Sequence, residues 1–196
     1  MTRKILLSSI KTVCFFILFQ NLMFAQTKIG VSIEFIGYNA QIENNFLDQT
    51  RSTESSLDYD VCLSVPITFG IGGDISFSLR PGFVFGSLYQ GPDIGLIGIY
   101  DLSSDVYLCA GINEHLNTYL SGGHSKHGKS VSIPYAVLGL GYKLSNSIST
   151  EMQINYSLNY ADYGYWRRPT EYSSTYDSYY KTRWMIKLNF SYTWEL

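Results

Sequence analysis

The residues best suited to acid–base or metal chemistry are three histidines in one polar segment. They are His115, His124 and His127. With the neighbouring Glu114 they could bind a metal ion, but a zinc site usually takes four ligands and no cysteine joins them. His124 precedes Ser125, yet a catalytic serine–histidine pair depends on geometry that sequence does not show. Glycines surround these residues, so a solvated loop is the favoured interpretation, and we predict no catalytic residue, metal or cofactor.

A second candidate is a segment rich in tyrosine and arginine near the C-terminus. Its members are Tyr165, Trp166, Arg167, Arg168, Tyr172 and Tyr176. Tyrosine and tryptophan are typical of recognition surfaces, and arginine binds phosphate or carboxylate groups, such as those of a modified glycan. The alternative is a girdle of aromatic side chains at a membrane surface. The position between two predicted strands favours the girdle.

The composition excludes several classes of protein. The 196 residues are 45% hydrophobic, 16% aromatic and 15% charged, which argues against disorder and against a helical coiled coil. Of 14 basic residues, three lie in the first 25 positions, so 11 remain against 16 acidic residues. No basic surface is left for a nucleic acid.

Alternation with period two dominates the chain after residue 26. Apolar and polar residues alternate in eight segments: 28–35, 59–69, 75–85, 94–102, 106–113, 131–144, 148–160 and 183–196. Successive side chains of a strand point to opposite sides, so each segment is predicted to be a strand with one apolar face. In 131–144 the apolar residues change parity, which predicts a β-bulge near Val137.

Short and long connections between these strands alternate. Segments 70–73, 103–105 and 145–147 are short turns of the hairpin kind. Segments 39–56, 87–93, 114–130 and 161–181 are longer and polar. All long connections therefore lie at one end of an up-and-down sheet.

Side-chain volume indicates which face points inward. An eight-stranded barrel is just wide enough for side chains to fill it, and faces as bulky as that of Trp184, Phe190 and Trp194 would overfill it. The opposite faces carry Gly, Ser, Thr and Asn, which fit. In lipid every backbone amide needs a partner, so the first and last strands must pair. We predict an all-β protein, an eight-stranded antiparallel up-and-down transmembrane β-barrel. Pro66, Pro81 and Pro134 should then lie near strand ends or bulges.

Several charged residues fall on the predicted inner face. They are Glu34, Asp60, Arg80, Asp101, Lys143, Glu151 and Lys187. Unpaired charges are costly in a narrow interior, and closure brings Lys187 of the last strand beside Glu34 of the first. A structural plug of ion pairs and hydrogen bonds is the favoured interpretation. A narrow ion-conducting pore is the alternative.

The first 25 residues form a predicted signal peptide, and residues 26–196 form the barrel. Three cations precede a short apolar run that leads to Ala25, an arrangement typical of secretory signals. A membrane anchor is the alternative, but the run is shorter than the ~20 residues that span a bilayer. Cys62 and Cys109 of the exported part could form a disulfide, although two inert thiols are favoured.

Together these patterns resemble small outer-membrane β-barrels of the outer-membrane protein A/X type. The last strand is the most specific part, with apolar residues at alternating positions back from the C-terminus: Leu188, Phe190, Tyr192, Trp194 and Leu196. The resemblance implies that assembly machinery reads this strand, although an aromatic residue usually stands in the place of Leu196.

The resemblance also implies location in the outer membrane of a Gram-negative cell, contact with membrane lipid and lipopolysaccharide, and a structural or surface-interaction role through the long loops. Any extracellular ligand is unknown. A porin-like narrow pore and a lipid-modifying enzyme are the alternatives, since enzymes also occur on such barrels.

Overall fold

The computed structural model describes residues 27–45, 51–118, 121–122, 126–169 and 175–196. Side chains are described for these ranges except 121–128 and 166–176. The predicted signal peptide lies outside the described residues. Among these residues no helix is long and apolar enough to span a bilayer.

In the described residues, twelve strands form one antiparallel sheet. They are β1 (Thr27–Asn45), β2 (Arg51–Ser64), β3 (Ile67–Gly72), β4 (Ile75–Phe85), β5 (Gly91–Asp101), β6 (Val106–Asn117), β7 (Ser121–Gly122), β8 (Lys126–Gly128), β9 (Val131–Lys143), β10 (Ile148–Ser157), β11 (Asp162–Pro169) and β12 (Thr175–Glu195).

The sheet closes into a barrel of eight strands. β12 pairs with β1 from Lys28↔Glu195 to Asn45↔Asp177, which joins the last strand to the first. β2 and β3 are two halves of one barrel strand, because both pair with β1 and with β4. The combined strand β2/β3 is followed around the barrel by β4, β5, β6, β9, β10, β12 and β1, which makes eight. The predicted fold class is confirmed. The barrel has a short-turn end and a long-connection end.

At the long-connection end, two of the predicted loops are strands. β1 and β2 pair as far as Asn45↔Arg51, and β11 pairs with β12 as far as Pro169↔Thr175. The predictions of loops over 39–56 and 161–181 were therefore wrong for most of their length. One face of these segments is buried, but it mixes polar Asn44 and Ser178 with apolar Ile42 and Tyr180, so the alternation weakens although the backbone hydrogen bonds continue. We call this extension, made of β11 and the parts of β1, β2 and β12 that lie within 39–56 and 161–181, the projecting sheet.

The bulge predicted near Val137 is also wrong. The pairing of β9 with β6 and β10 runs without a shift, and Ile133, Tyr135 and Val137 are buried in the lumen. The apolar residues change face because this part of the lumen is itself apolar.

A bulge does occur in β12. Tyr38 pairs with Met185 but Ala40 pairs with Thr182, so β12 has one additional residue there. Arg183 and Trp184 are consecutive exposed residues as a result. Thr182 above the bulge and Met185 below it both point into the lumen.

The three prolines lie where backbone pairing is interrupted. Pro66 falls between β2 and β3, and Pro81 faces this break, where its carbonyl accepts a hydrogen bond from the Val65 amide at 2.8 Å. Pro134 lies just beyond the last pair of β9 and β10, Tyr135↔Ser157. At these positions the sheet does not require a backbone N–H donor, which proline lacks.

The outer surface of the barrel is an apolar belt. Residues between 41% and 53% exposed occur on all eight barrel strands: Val31, Leu63, Phe77, Leu96, Leu108, Leu140, Ile154 and Phe190. Trp194 and Trp184 are ten residues apart on β12. At about 3.3 Å per residue and a tilt of about 40° they span about 25 Å, the height of the apolar band of transmembrane barrels.

Candidate functional site

The lumen opens at the short-turn end into a polar vestibule. Its volume is about 350 Å³, and Lys143, Asp101 and Arg80 are among its lining residues. Lys143 Nζ lies 2.7 Å from Asp101 Oδ2, and both side chains are about one third exposed. Such an exposed ion pair contributes little stability.

The vestibule ends at a buried ion pair between β4 and β10. Arg80 donates from Nη1 and Nη2 to the two carboxylate oxygens of Glu151 at 2.7 and 3.0 Å. The side chains are 9% and 2% exposed. Gln153 donates a further hydrogen bond to Glu151. The bidentate geometry neutralises both charges, and the lumen is filled at this level.

A second buried cluster centres on Lys187 of β12. Its Nζ lies 2.7 Å from Asp93 Oδ2 and 3.2 Å from Glu34 Oε2. Asn113 donates to both oxygens of Asp93 at 2.9 and 3.0 Å, and Ser64 donates to Glu34 at 3.0 Å. Barrel closure thus brings Lys187 and Glu34 together.

The same cluster contains a possible set of metal ligands. Ligand atoms of Glu34, Cys62 and Asp93 lie within 4.8 Å of one another. The Lys187 ammonium contacts both carboxylates and supplies the positive charge that a metal would bring. Cys62 and Cys109 are both free and buried, which confirms the preference for two thiols over a disulfide.

Above this cluster, toward the long-connection end, the lumen is aromatic. Tyr38, Tyr89, Tyr135 and Tyr163 are at most 4% exposed, and we call them the aromatic layer. The Tyr38 and Tyr89 rings lie 5.4 Å apart, as do those of Tyr89 and Tyr163. The expectation that small polar residues fill the whole lumen is therefore wrong for this half.

Asp60 borders the aromatic layer without an ion-pair partner among the described residues. Its carboxylate accepts a hydrogen bond from the Tyr38 hydroxyl at 2.8 Å. Asp60 therefore belongs to the polar lining of the lumen, as predicted from its position, but not to either buried ion-pair cluster.

The segment between β4 and β5 folds into the lumen and closes it. Its Leu88 and Tyr89 are 9% and 1% exposed, and the Tyr89 hydroxyl contacts that of Tyr135 at 3.2 Å. We call residues 86–90 the plug segment. Sequence reasoning missed it, because 87–93 was predicted to be one of the long polar connections and its composition gives no sign that it turns inward.

Asn117, at the end of β6, holds the plug segment in place. The two N–H groups of its Nδ2 are shared among the backbone oxygens of Leu88, Lys129 and Tyr163, at 3.1, 2.8 and 2.8 Å. Its Oδ1 accepts a hydrogen bond from the Gln90 amide at 2.9 Å. One buried side chain therefore joins three connections at this end of the barrel.

The expected loop histidines do not form one cluster in the described structure. His115 lies in β6 and is fully buried, with its ring stacked on Tyr89 at 3.9 Å, so its assignment to a solvated loop was wrong. Its Nδ1 lies 3.4 Å from Asp93 Oδ1. His124 and Ser125 lie outside the described residues, and only the backbone of His127 is described.

The tyrosine- and arginine-rich segment lies in the projecting sheet. Tyr165 packs against Tyr179 at 5.5 Å and donates to Asp177 at 2.9 Å. Trp166, Arg167 and Arg168 are part of β11, and Tyr176 is part of β12. Their side chains, and all of Tyr172, lie outside the described residues, so their role in recognition stays a prediction.

Lys181 carries a compensated charge in the same sheet. Its Nζ lies 2.8 Å from Glu43 and 3.5 Å from Asp162. Burial opposes the charge, but the hydrogen bond with Glu43 and the charge of Asp162 outweigh burial and raise the pKa of Lys181.

The C-terminal strand presents its predicted apolar residues to the outside. Leu188, Phe190, Tyr192 and Trp194 are 42–52% exposed, and Leu196 is 81% exposed just after β12 ends. Their recognition by assembly machinery stays a prediction.

Comparisons with known proteins identify the fold. No protein-family model matches the sequence. No curated protein matches it either. Among solved structures, the outer membrane protein OprG from Pseudomonas aeruginosa is 14% identical, with a TM-score of 0.51 over 88% of this chain and 97% of OprG. The N-terminal β-barrel domain of P. aeruginosa OprF is 16% identical, with a TM-score of 0.45 over 87% and 99% of the two chains. Ail, the attachment invasion locus protein of Yersinia pestis, is 10% identical, with a TM-score of 0.29 over 83% and 99%.

The similarity to OprG shows that this chain has the fold of a small outer-membrane β-barrel. The predicted resemblance is therefore confirmed at the level of the fold.

Proposed function

We propose that this chain is an integral outer-membrane protein that directs its long-connection end to the cell exterior. The observation that carries the proposal is the apolar belt, which includes all eight strands and spans about 25 Å along β12. A water-facing surface rarely exposes so large an apolar area. Polar and charged groups lie in the lumen instead, where they pair with one another.

The proposed role is structural, or one of surface interaction through the projecting sheet. Two buried ion-pair clusters and the aromatic layer fill successive levels of the lumen, which supports a plug rather than a transport path. Lipopolysaccharide is the proposed lipid partner, and assembly machinery is proposed to read the strand that ends at Leu196. Any extracellular ligand would meet the projecting sheet.

Gel mobility tests this architecture. We expect the mature protein to be extracted from the outer-membrane fraction only with detergent, and to migrate differently before and after boiling, because the closed barrel stays folded in mild detergent. Unchanged mobility, or a mature chain that is soluble without detergent, would contradict the proposal.

A narrow pore is the second candidate, and the open vestibule favours it. We expect no steady current from the purified protein in a planar bilayer, because Arg80–Glu151 and the Lys187 cluster block the lumen. We expect the same for Tyr89→Ala, which removes a ring of the aromatic layer but leaves both clusters intact. A steady open-channel current from the unmodified protein would overturn the plug.

The proposed role is not enzymatic. A lipid-modifying enzyme on such a barrel would present its histidine to lipid, whereas the described His115 side chain lies in the lumen. Mass analysis of lipid A from cells with and without the gene tests this point. A change in acylation that depends on the gene would contradict it.

A further inference from the structure

Arg183 is an exposed cation with no acidic partner among the described residues. It lies on the outer face of β12, at the bulge, with Cζ 4.4 Å from the centroid of the Tyr160 ring. Nearby Lys181 and Lys129 both contact carboxylates. Arg183 is therefore an uncompensated positive charge among the side chains that the structure describes on this surface.

The bulge places this charge at the upper edge of the apolar belt. The next residue, Trp184, packs on Tyr156 at 4.7 Å, and the outward residues below it on β12 are apolar. Aromatic girdles mark the interface between hydrocarbon and headgroups in barrels of this kind. The guanidinium consequently lies at the height of lipid phosphates.

An apolar groove lies directly below Arg183 on the lipid-facing surface. Its volume is about 480 Å³, and its wall includes Phe35, Tyr59, Ile186 and Leu188 around Gly37. Gly37 pairs with Ile186, three residues from Arg183. The groove therefore begins about 10 Å along the strand from the backbone of Arg183 and one strand, about 5 Å, to the side.

We propose that Arg183 and this groove form one binding site for lipid A, the phosphorylated and multiply acylated glycolipid of the outer leaflet. The guanidinium donates hydrogen bonds to a phosphate, and the Tyr160 ring contacts one side of the guanidinium. An acyl chain occupies the groove over Gly37. Guanidinium and phosphate match in charge and in bidentate geometry, and the groove supplies the apolar complement. The assignment of leaflet rests on the proposed function.

Two substitutions test the two halves of the site. Arg183→Gln removes the guanidinium that binds the phosphate. Gly37→Leu fills the groove, and the fold accommodates it because a Cβ there would meet only Tyr59 ring atoms, at 3.7 Å. Binding of lipid A to the full mature chain in detergent would be measured by native mass spectrometry. We expect Arg183→Gln to weaken binding about tenfold and Gly37→Leu to weaken it about fivefold.

Matched controls make the same two substitutions outside the proposed site, and so separate loss of lipid A binding at the site from a general effect of the change in charge or side-chain size. Arg51→Gln removes an exposed arginine on the projecting sheet. Gly98→Leu adds the same side chain at another outward glycine, where a Cβ would meet neighbours at 3.5 and 3.6 Å. Both should bind lipid A as the unmodified protein does. Heat-dependent gel mobility checks that every variant is folded.

The unmodified protein supplies a test that needs no variant. Dephosphorylated lipid A should bind about tenfold more weakly, and inorganic phosphate should compete poorly because it does not fill the groove. Equal binding of both lipid A forms, full displacement by inorganic phosphate, or equal affinity for phosphatidylglycerol would overturn the proposal. None of these results would affect the gel-mobility test, so the site and the proposed function can fail separately.

Discussion

Replacing Lys187 with methionine is expected to lower the free energy of unfolding by about 3–5 kcal/mol, because it leaves buried carboxylates without their cation. Lys187 is 2% exposed, and its ammonium lies against both Asp93 and Glu34. The measurement is urea-induced unfolding in lipid vesicles, followed by fluorescence of the tryptophans that face the lipid.

Lys143→Met is the matched control for this substitution. Lys143 and Asp101 are also 2.7 Å apart, but about one third exposed, so the expected loss is at most about 1 kcal/mol. A triple variant, Lys187→Met with Asp93→Asn and Glu34→Gln, should recover most of the stability, because no buried charge then remains unpaired. An equally large loss in the triple variant would show that packing, and not charge, explains the effect.

The second large effect is expected for Asn117→Asp. The substitution keeps the shape of the side chain but removes the amide that donates to Leu88, Lys129 and Tyr163. The Tyr163 carbonyl keeps a hydrogen bond from the Lys129 amide. The Leu88 and Lys129 carbonyls lose their donor at a cost of about 1–3 kcal/mol each, so the total loss should be about 2 kcal/mol or more.

We expect this loss to appear first at the plug segment. Limited proteolysis should cleave the Asn117→Asp variant between β4 and β5 under conditions in which the unmodified protein stays intact. Asn159→Asp is the control, since Asn159 donates to the Ser132 carbonyl at an exposed site. If both variants resist proteolysis equally, Asn117 does not hold the plug segment.

The sequence predicted the barrel because alternation reports directly which side each residue faces. In β12 the outward positions Leu188, Phe190 and Trp194 and the inward position Lys187 agree with the structure. The pairing of Lys187 with Glu34 followed from closure alone. These predictions needed only alternation, the side-chain volume of each face and barrel closure, and not the individual contacts in the lumen.

Other features depend on contacts that alternation does not contain. Asp93 was assigned to the end of a loop, although it is the carboxylate closest to Lys187. Its alternation with Ile94 and Leu96 could have placed it on the inner face of β5. The inward position of Tyr89, unlike that of Asp93, could not be predicted from alternation, because it depends on tertiary contacts with His115 and Tyr135. The buried face of the projecting sheet mixes polar residues such as Asn44 and Ser178 with apolar ones such as Ile42, so the hydrophobic alternation is weak.

The additional residue in β12 has a consequence for how this chain can vary. Thr182 and Met185 both point inward, so losing either Arg183 or Trp184 would remove the bulge and restore regular pairing with β1. Ser178, Tyr180 and Thr182 would keep their inward faces. The bulge is therefore a position where β12 can lose one residue without reversing the faces of the strand beyond it.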